Sequence, residues 1–444
     1  MIKHLTNITF FILAITCARG QQPDIPLLQS GPMPGYADMR EAVIWVQTTG
    51  ETSVYATYWD REHPEMIMRT GTVNTLKEEA LTAKLIADQV EPGRTYDYRL
   101  YFNDRPVDLP YPAVFKTPPL WKYRTDPPDF TILTGSCAYI NQPEYDRSGK
   151  PYGGDYRIFT HMAAQNADLM LWLGDNVYLR EPDWNTRTGF YKRYTHTRSL
   201  PELQAFLAST HHYAIWDDHD YGPDNCNKSF FNKNTALETF RLFWANPTFG
   251  TRSTDGITTS FQWGDVDFFL LDNRWFRDPD ELNEEGKSII GDDQMEWLTD
   301  NLVSSRATFK FVAIGGQFLS DAATAEMHSA NGFDAEREKL ISFIQNHQIK
   351  NVVFLTGDVH FSEISVLKAE SKPAIYDFTF STLSAGPNSS GESWKNTLRM
   401  PGTVVMDRNY GMISISGPAK ARKLTVSCYD ADNRKRWEKV IEQE

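Results

Sequence analysis

Residues 169–176, LMLWLGDN, are five apolar side chains followed by a glycine, an aspartate and an asparagine. A run of five apolar residues that ends in turn residues is typical of a buried strand. In α/β proteins the ligand site lies beyond the carboxyl ends of such strands. Residues 174–176 therefore mark one edge of a candidate functional site.

The same arrangement recurs at four other strand ends. Residues able to bind a metal ion follow apolar runs at 135–137 (GSC), 217–220 (DDHD), 272–274 (DNR) and 357–360 (GDVH). A single Gly-Asp after a strand is weak evidence, because a turn with a capping aspartate also explains it. Five such ends converge on one place, where their carboxylates would repel one another without cations. The pattern predicts a bound metal centre.

Residues 216–222, WDDHDYG, are the least ordinary of these segments. Four consecutive charged or titratable residues after an apolar strand are hard to explain as a solvated loop. For residues 357–360 the alternative is a helix cap followed by a histidine whose hydrogen bonds are satisfied within the protein.

The chain from Asp129 onward alternates apolar runs with amphipathic stretches, which predicts an α/β layered domain at residues 129–444. The predicted strands are 130–133, 169–173, 214–216, 266–271, 309–314 and 352–355, with 411–416 and 424–429 near the end of the chain. The predicted helices are 157–167, 235–245, 294–303 and 335–346.

Residues 28–117 have a different pattern, with short runs of alternating polarity such as 53–58 and 95–101. Runs of period two separated by turn residues predict a small all-β sandwich. We place this domain at residues 21–117 and a linker at 118–128, and we expect the sandwich to fold separately and to contain no catalytic residue.

The N-terminus resembles an export signal, because Lys3 and His4 precede an apolar stretch too short to span a membrane. We predict a signal peptide at residues 1–20 and a secreted or periplasmic protein. A lipoprotein attached through Cys17 is an alternative that the residues before it favour less. No later segment of the sequence is apolar enough for a membrane span.

The chain has 444 residues, with 45 Lys and Arg against 58 Asp and Glu and a net charge of −13. Such a surface repels a phosphate backbone, so generic nucleic-acid binding is not expected. Removal of residues 1–20 leaves three cysteines, Cys137, Cys226 and Cys428. Because an exported protein usually pairs its cysteines, an odd number requires another explanation for at least one thiol.

The sequence resembles the PhoD-type alkaline phosphatases and phosphodiesterases, which are related to the purple acid phosphatases. The resemblance covers residues from about 28 to the C-terminus. It depends on motifs in the family's order at residues 135–137, 174–178 (GDNVY), 217–220, 271–274, 294–298 and 357–360. It implies a four-layer α/β/β/α catalytic domain preceded by a β-sandwich.

The resemblance also implies an iron(III) ion and one or two calcium ions that bind a phosphate. Asp175 would bridge metals, while Cys137 and Tyr178 would give a thiolate and a phenolate to iron. The remaining implied ligands are Asp217, Asp218, Asp358 and His360. Thiolate and phenolate suit Fe³⁺, and carboxylate oxygens suit Ca²⁺. Asp217 and Asp220 either bind calcium or orient His219, and Asn176 and Asp220 are candidate substrate-binding residues.

The implied mechanism is attack of an activated hydroxide or oxo group on a metal-held phosphate. His219 is the candidate general acid for the leaving alkoxide. Arg274 either binds a phosphate oxygen or forms a buried ion pair with a carboxylate such as Asp272. For Cys137 the alternatives to iron binding are inert packing and a disulfide with Cys226 or Cys428.

Three functions remain open on the sequence. The first is hydrolysis of small phosphate esters, and the second is a phosphodiesterase acting on phospholipid or polymer diesters. The third is a surface-binding protein whose metals are structural. The segment 180–199 follows a metal motif and is a candidate substrate lid.

Overall fold

The computed structural model describes residues 27–322 and 328–444. The predicted signal peptide at residues 1–20 and the alternative at Cys17 lie outside the described residues. Within the described ranges, no helix combines the length and the apolar character needed to cross a membrane.

Residues 27–117 form strands, with one short 3-10 helix at Lys77–Glu79. They are β1 (Leu28–Ala37), β2 (Ala42–Thr48), β3 (Ser53–Asp60), β4 (Met68–Arg69), β5 (Val73–Asn74), β6 (Thr82–Ala87), β7 (Thr95–Phe102), β8 (Arg105–Pro106) and β9 (Val114–Lys116). One antiparallel sheet has the order β1-β2-β6, and the other has the order β4-β3-β7-β8 with β5 on β3 and β9 on β7. Alternate side chains of β7, such as Tyr96, Tyr98 and Leu100, are buried. The predicted period of two is therefore confirmed.

The second part alternates strands and helices. The elements are β10 (Phe130–Gly135), α1 (Arg157–Ala164), β11 (Leu169–Leu173), α2 (Arg187–Arg198), α3 (Pro201–Ser209), β12 (His211–Ile215), α4 (Asp218–Tyr221), α5 (Lys233–Phe243), β13 (Thr259–Trp263), β14 (Val266–Leu270), α6 (Asp292–Ser304), β15 (Phe309–Ala313), α7 (Asp334–Asn346), β16 (Val352–Thr356), β17 (Glu363–Leu367), β18 (Ile375–Thr379), β19 (Asn409–Ser416), β20 (Lys423–Asp430) and β21 (Lys435–Glu442).

Two six-stranded sheets form the centre of this part. The first has the order β12-β11-β10-β19-β20-β21 and the second has the order β13-β14-β15-β16-β18-β17. Strands β10, β11 and β12 are parallel, as are β14, β15, β16 and β18. Parallel neighbours end at the same edge of a sheet, so the loops after them meet there.

The burial pattern shows how the layers stack. On the first sheet, Trp172 of β11 contacts Phe159 of α1 and Phe206 of α3. On the second sheet, Phe268 of β14 belongs to the main apolar cluster with the first sheet. Its neighbour Phe269 belongs to a separate cluster with α6 and α7. Because successive strand residues point to opposite faces, the second sheet lies between the first sheet and these helices. The four predicted layers α/β/β/α are confirmed.

The sandwich packs closely against the α/β domain. Trp45 Nε1 donates to the Leu242 carbonyl at 2.8 Å, and the Ala37 amide donates to the Tyr213 hydroxyl at 3.1 Å. A Cβ placed on Gly35 would lie 2.3 Å from Ala245 Cβ, so only glycine permits this approach. The two parts share one continuous apolar cluster. Separate folding of the sandwich stays a prediction, and this shared core argues against it.

The segment 180–199 contributes to the same packing. It contains α2, whose Arg193 is 2% exposed and donates to Asp183 Oδ2 at 2.7 Å. Arg198 lies 3.8 Å from the centre of the Trp244 ring, and Gln47 of the sandwich donates to Thr195 Oγ1 at 2.7 Å. A lid would have to break these buried contacts, so the placement does not support a lid.

Candidate metal centre

Two groups of potential metal ligands lie at the carboxyl ends of β10, β11, β12 and β16. Ligand atoms of Cys137, Asp175 and His360 all lie within 4.8 Å of one another. Ligand atoms of Asp175, Asp218 and His219 form a second group by the same measure. Asp175 belongs to both groups, so its two carboxylate oxygens can serve two ions.

The loops that carry these residues adopt unusual backbone conformations. Cys137, Asp175, Asp358 and His360 have φ values of 62°, 52°, 71° and 60°. Positive φ is unfavourable for residues other than glycine and persists only where the surroundings enforce it. Here the Cys137 amide donates to the Gly174 carbonyl at 3.2 Å, which ties the β10 loop to the β11 loop. The backbone therefore aims these side chains at one place.

Cys137 is fully buried among polar groups. Its Sγ lies 3.6 Å from Asp175 Oδ2, 3.3 Å from Ser136 Oγ and 3.2 Å from Ser381 Oγ. Burial, and next the charge of Asp358, raise the pKa of the Cys137 thiol to about 12. Such a thiol stays protonated at neutral pH, whereas a bound cation would deprotonate it. The environment fits a metal ligand better than inert apolar packing.

His360 is oriented by a backbone carbonyl. Its Nδ1 lies 2.6 Å from the Gly386 carbonyl oxygen, and its Nε2 lies 3.1 Å from the Tyr178 hydroxyl. Because a carbonyl only accepts, we assign the proton to Nδ1. Burial lowers the pKa of His360 to about 4, so the ring is neutral and Nε2 keeps its lone pair. A hydrogen bond at one nitrogen that frees the other is the usual arrangement of a metal-binding histidine.

Tyr178 lies beside this pair, 5% exposed, with its ring 4.2 Å from the ring of His219. Burial, and next the charge of Asp175, raise the pKa of the Tyr178 phenol well above its usual value. Without a cation the residue is therefore a neutral phenol, and a phenolate here requires a bound ion.

Asp175 and Asp218 are two buried carboxylates at close range. Burial, and next the charge of Asp218, raise the pKa of Asp175 well above its ordinary value. Burial also opposes ionisation of Asp218, but His219 and Arg274 outweigh it and lower its pKa. Asp218 Oδ1 is buried without a hydrogen-bond partner, and the Arg274 guanidinium lies 3.7 Å away. An unsatisfied carboxylate oxygen beside a second carboxylate fits a cation site.

The chain is similar to proteins of known family and fold. A sequence profile described as "PhoD-like phosphatase" matches residues 132–412, which is more than half of the chain. The chain belongs to the PhoD-like phosphatase family. Alkaline phosphatase D of Bacillus subtilis (strain 168) is 27% identical over 381 residues, covering 74% of this chain and 62% of the relative. The match thus spans less than two thirds of that relative's length.

Two solved structures are similar in fold. "Structure of PhoD" superposes with a TM-score of 0.76 and 21% identity, covering 92% of each chain. A purple acid phosphatase isolated from yellow lupin (Lupinus luteus) seeds superposes with a TM-score of 0.67 and 12% identity. That match covers 94% of this chain and 75% of the lupin protein. At 21% and 12% identity the similarity supports the fold alone. The assignment of the metal centre depends on the ligand residues described above.

Within this PhoD-like site, Asp217 and Arg274 form a buried pair. Asp217 accepts a hydrogen bond from the Arg274 Nε, accepts from Asn273 Nδ2 at 2.7 Å, and caps α4. Arg274 is 1% exposed, and its backbone amide donates to Asp272 Oδ1 at 3.0 Å. Arg274 therefore forms the predicted kind of ion pair, with Asp217 as the partner instead of Asp272. Asp217 lies outside both ligand groups, although its Oδ2 has no hydrogen-bond partner.

Asp220 and Asn176 connect the β11 loop to α4. The Asp220 carboxylate accepts from the amides of Asn176, Val177 and Asp217 at 3.0–3.3 Å. Asn176 Nδ2 donates to the Ile215 carbonyl at 2.8 Å. Burial raises the pKa of Asp220 to about 8. Both side chains are almost fully buried, which favours positioning of the loops over the predicted contact with substrate.

The other predicted residues lie nearer to solvent. The His219 side chain is 24% exposed, and its Nε2 lies 3.4 Å from Asp224 Oδ1. Asp358 contributes its backbone carbonyl, 3.6 Å from Cys137 Sγ, and its side chain lies outside the two ligand groups.

Cys137, Cys226 and Cys428 are free thiols, so the alternative of a disulfide at Cys137 is wrong.

The segment after β18 also lines the site, although the sequence motifs do not include it. Ser381 and Gly386, from this segment, contact Cys137 and His360 directly, and Tyr152 lies 3.0 Å from His360 Nδ1. Strand β18 lies outside the predicted strands, so its carboxyl end is not among the predicted ligand positions. The stretch of small residues at 381–386, STLSAG, is the available signal.

Proposed function

We propose that this chain is an exported, metal-dependent phosphoesterase that hydrolyses phosphate esters. The observation that carries the proposal is the shared position of Asp175 in two adjoining ligand groups. One carboxylate between two cation sites is the arrangement that two-metal phosphoryl-transfer enzymes need. Membership of the PhoD-like phosphatase family supports the same activity.

The two halves of the site suit different ions. Cys137, Tyr178 and His360 offer sulfur, phenol and imidazole ligands, which favour Fe³⁺. Asp218 offers a carboxylate oxygen without a hydrogen-bond partner, which favours Ca²⁺. We assign Asp175 as the bridge and keep Asp217 and Asp358 as further candidate ligands. Metal ions bound here would polarise a phosphate and lower the pKa of water, so that hydroxide is available near neutral pH.

Three other side chains of the site have separate proposed roles. His219 is partly exposed and packs on Tyr178, so it is placed to donate a proton to a leaving alkoxide. Arg274 is too deeply buried to reach a substrate from solvent, and we assign it to fixing Asp217 and offsetting the charge of Asp218. Asp220 keeps the β11 loop on α4 through its backbone contacts.

The substrate class is left to experiment, because the ligand groups serve monoesters and diesters alike. Small phosphate esters are the primary proposal, and phospholipid or polymer diesters are the alternative. Release of p-nitrophenol from the monoester and the bis ester, followed together with the bound metals, tests both. A metal-loaded protein that hydrolyses neither compound would favour the surface-binding alternative.

Export is proposed from the sequence of residues 1–20. Mass spectrometry of the protein recovered from its native host is expected to show a chain that begins near Gln21. A mature chain that begins with a modified Cys17 would support the lipoprotein alternative, and a chain that retains Met1 would contradict export through a cleaved signal.

A further inference from the structure

Tyr152 is an exposed aromatic residue at the edge of the candidate metal centre. Its relative exposure is 45%, whereas the neighbouring Tyr139 and Tyr178 are 9% and 5% exposed. The Tyr152 ring meets Tyr139 edge-on at 5.0 Å, and its hydroxyl lies 3.0 Å from His360 Nδ1. The Tyr152 side chain therefore lies between the ligand groups and solvent.

Tyr152 does not donate its hydroxyl hydrogen to His360. His360 Nδ1 carries a proton, because it lies 2.6 Å from the Gly386 carbonyl oxygen, which can only accept. A protonated Nδ1 cannot accept a hydrogen bond from the Tyr152 hydroxyl. Towards His360 the phenol oxygen can therefore only accept, as a second acceptor of the Nδ1–H group. In the part of the chain that the structure describes, His360 is the only hydrogen-bonding partner of this hydroxyl.

The backbone around Tyr152 is held firmly although the side chain is exposed. Arg408 donates to the Tyr152 carbonyl at 3.0 Å and to the Ser384 carbonyl at 2.9 Å, which joins the loops on either side of His360. Asn141 and Gly153 exchange two hydrogen bonds at 2.8 and 2.9 Å. A Cβ on Gly153 would lie 2.4 Å from the Tyr139 carbonyl oxygen. A fixed backbone presenting an exposed donor is the arrangement expected of a binding residue.

We propose that Tyr152 contacts the substrate, with its hydroxyl donating a hydrogen bond to a non-bridging phosphate oxygen. The inference rests on the proposed phosphoesterase function and adds a binding residue to it. A phosphate oxygen is charged and accepts only, so it matches a neutral donor whose hydrogen is unused. Hydrogen bonds to charged groups change affinity by roughly 10- to 100-fold.

The test compares Tyr152→Phe with the metal-loaded wild-type protein. The substitution removes one oxygen and leaves the ring in place. We expect the dissociation constant of inorganic phosphate, measured by isothermal titration, to rise by roughly 10- to 100-fold. We expect kcat/KM for p-nitrophenyl phosphate to fall by a similar factor, with metal content and melting temperature unchanged. Tyr145→Phe is the matched control, because Tyr145 lies in the same loop at 52% exposure, and it should change none of these quantities.

The outcomes separate this inference from the proposed function. Unchanged phosphate affinity in Tyr152→Phe would overturn the inference while leaving the phosphoesterase proposal intact. Loss of bound metal in the variant would also overturn it, since Tyr152 would then act only as a support for His360. A wild-type protein inactive on every ester would refute the proposed function, and the phosphate titration would still decide whether Tyr152 binds phosphate.

Discussion

Acidification is expected to destabilise strand β12 and the elements packed against it, because two buried histidines on this strand are neutral. His211 Nε2 accepts from the Lys116 amide at 2.9 Å, and its Nδ1 lies 2.7 Å from the Gly35 carbonyl oxygen. His212 Nδ1 accepts from Trp172 Nε1 at 3.0 Å. A ring nitrogen that accepts an N–H bond carries no proton, so protonation of either ring would break a hydrogen bond.

The size of the effect follows from the pKa values. Burial lowers the pKa of His211 to about 4 and that of His212 to about 3, from an ordinary value of 6.5. The unfolded chain therefore binds these protons more tightly than the folded chain does. The corresponding stability is fully present above pH 6.5 and is lost as the pH falls towards the folded pKa values. Lowering the pH from 7 to 5 should reduce the free energy of unfolding by ~2 kcal/mol for each histidine.

The assay is urea unfolding at pH 7, 6 and 5, followed by tryptophan fluorescence. The comparison is between the wild type and the double variant His211→Gln, His212→Gln, because other titrating groups then cancel in the difference. We expect the stability advantage of the wild type to shrink by ~4 kcal/mol between pH 7 and pH 5. His347→Gln serves as the control, since His347 is exposed and should show no such change.

A stability difference that stays constant from pH 7 to pH 5 would refute the reasoning. It would mean that the two rings are protonated, or reached by water, in the folded protein. If the double variant does not fold, the single variant His211→Gln should show half of the effect.

Four further outcomes are expected at the metal centre. Asp175→Asn should lose nearly all turnover and bound metal while circular dichroism stays unchanged, and Asp300→Asn, a change at an exposed carboxylate of α6, should retain both. Mild chelation should abolish the esterase activity until calcium is added back. Full activity after exhaustive dialysis against a chelator would contradict the calcium assignment. Cys137→Ser should weaken a visible charge-transfer colour and lower the iron content, and unchanged colour, iron and activity would exclude an iron–thiolate bond. His219→Ala should keep its metals and lose roughly 10²- to 10⁴-fold in rate, whereas metal loss equal to that of the Asp175 variant would identify His219 as a ligand.

The strands that lead into the site could be predicted from the sequence. The predicted run at 169–173 coincides with β11 (Leu169–Leu173), and the predicted run at 130–133 lies within β10 (Phe130–Gly135). Strand β11 is continuously apolar because sheet and helix layers cover both of its faces, and β10 departs from this pattern at Thr131 and Thr134. Their polar ends follow directly, so the positions of Cys137 and Asp175 could be inferred without coordinates.

Helix α2 was not predicted because only part of its buried face is apolar. Phe190 and Tyr194 are buried, but so are Arg193, Thr197 and Arg198, and these polar residues interrupt the apolar periodicity of the helix. Their burial depends on distant partners, such as Asp183 for Arg193 and the Trp244 ring for Arg198. A local pattern cannot reveal partners that are distant in the sequence.

Strand β18 was missed for a related reason. It contains Asp377, which is fully buried and accepts from the amides of Phe318 and Leu319 at 2.9 and 2.8 Å. A charged residue inside a strand interrupts the apolar run that sequence analysis searches for. This strand matters for function, because the segment beginning at Ser381 follows it and contacts Cys137.

Metal binding and folding are coupled in this site. Four residues that carry or flank its ligands have positive φ, and each such conformation costs ~1–3 kcal/mol. The loops also bring Asp175 and Asp218 together, and their negative charges oppose assembly until cations balance them. Cations that bind the folded protein but not the unfolded chain stabilise it by mass action. The two six-stranded sheets supply the stability that keeps the loops in place, and ions bound here would favour the one arrangement in which the candidate ligands converge.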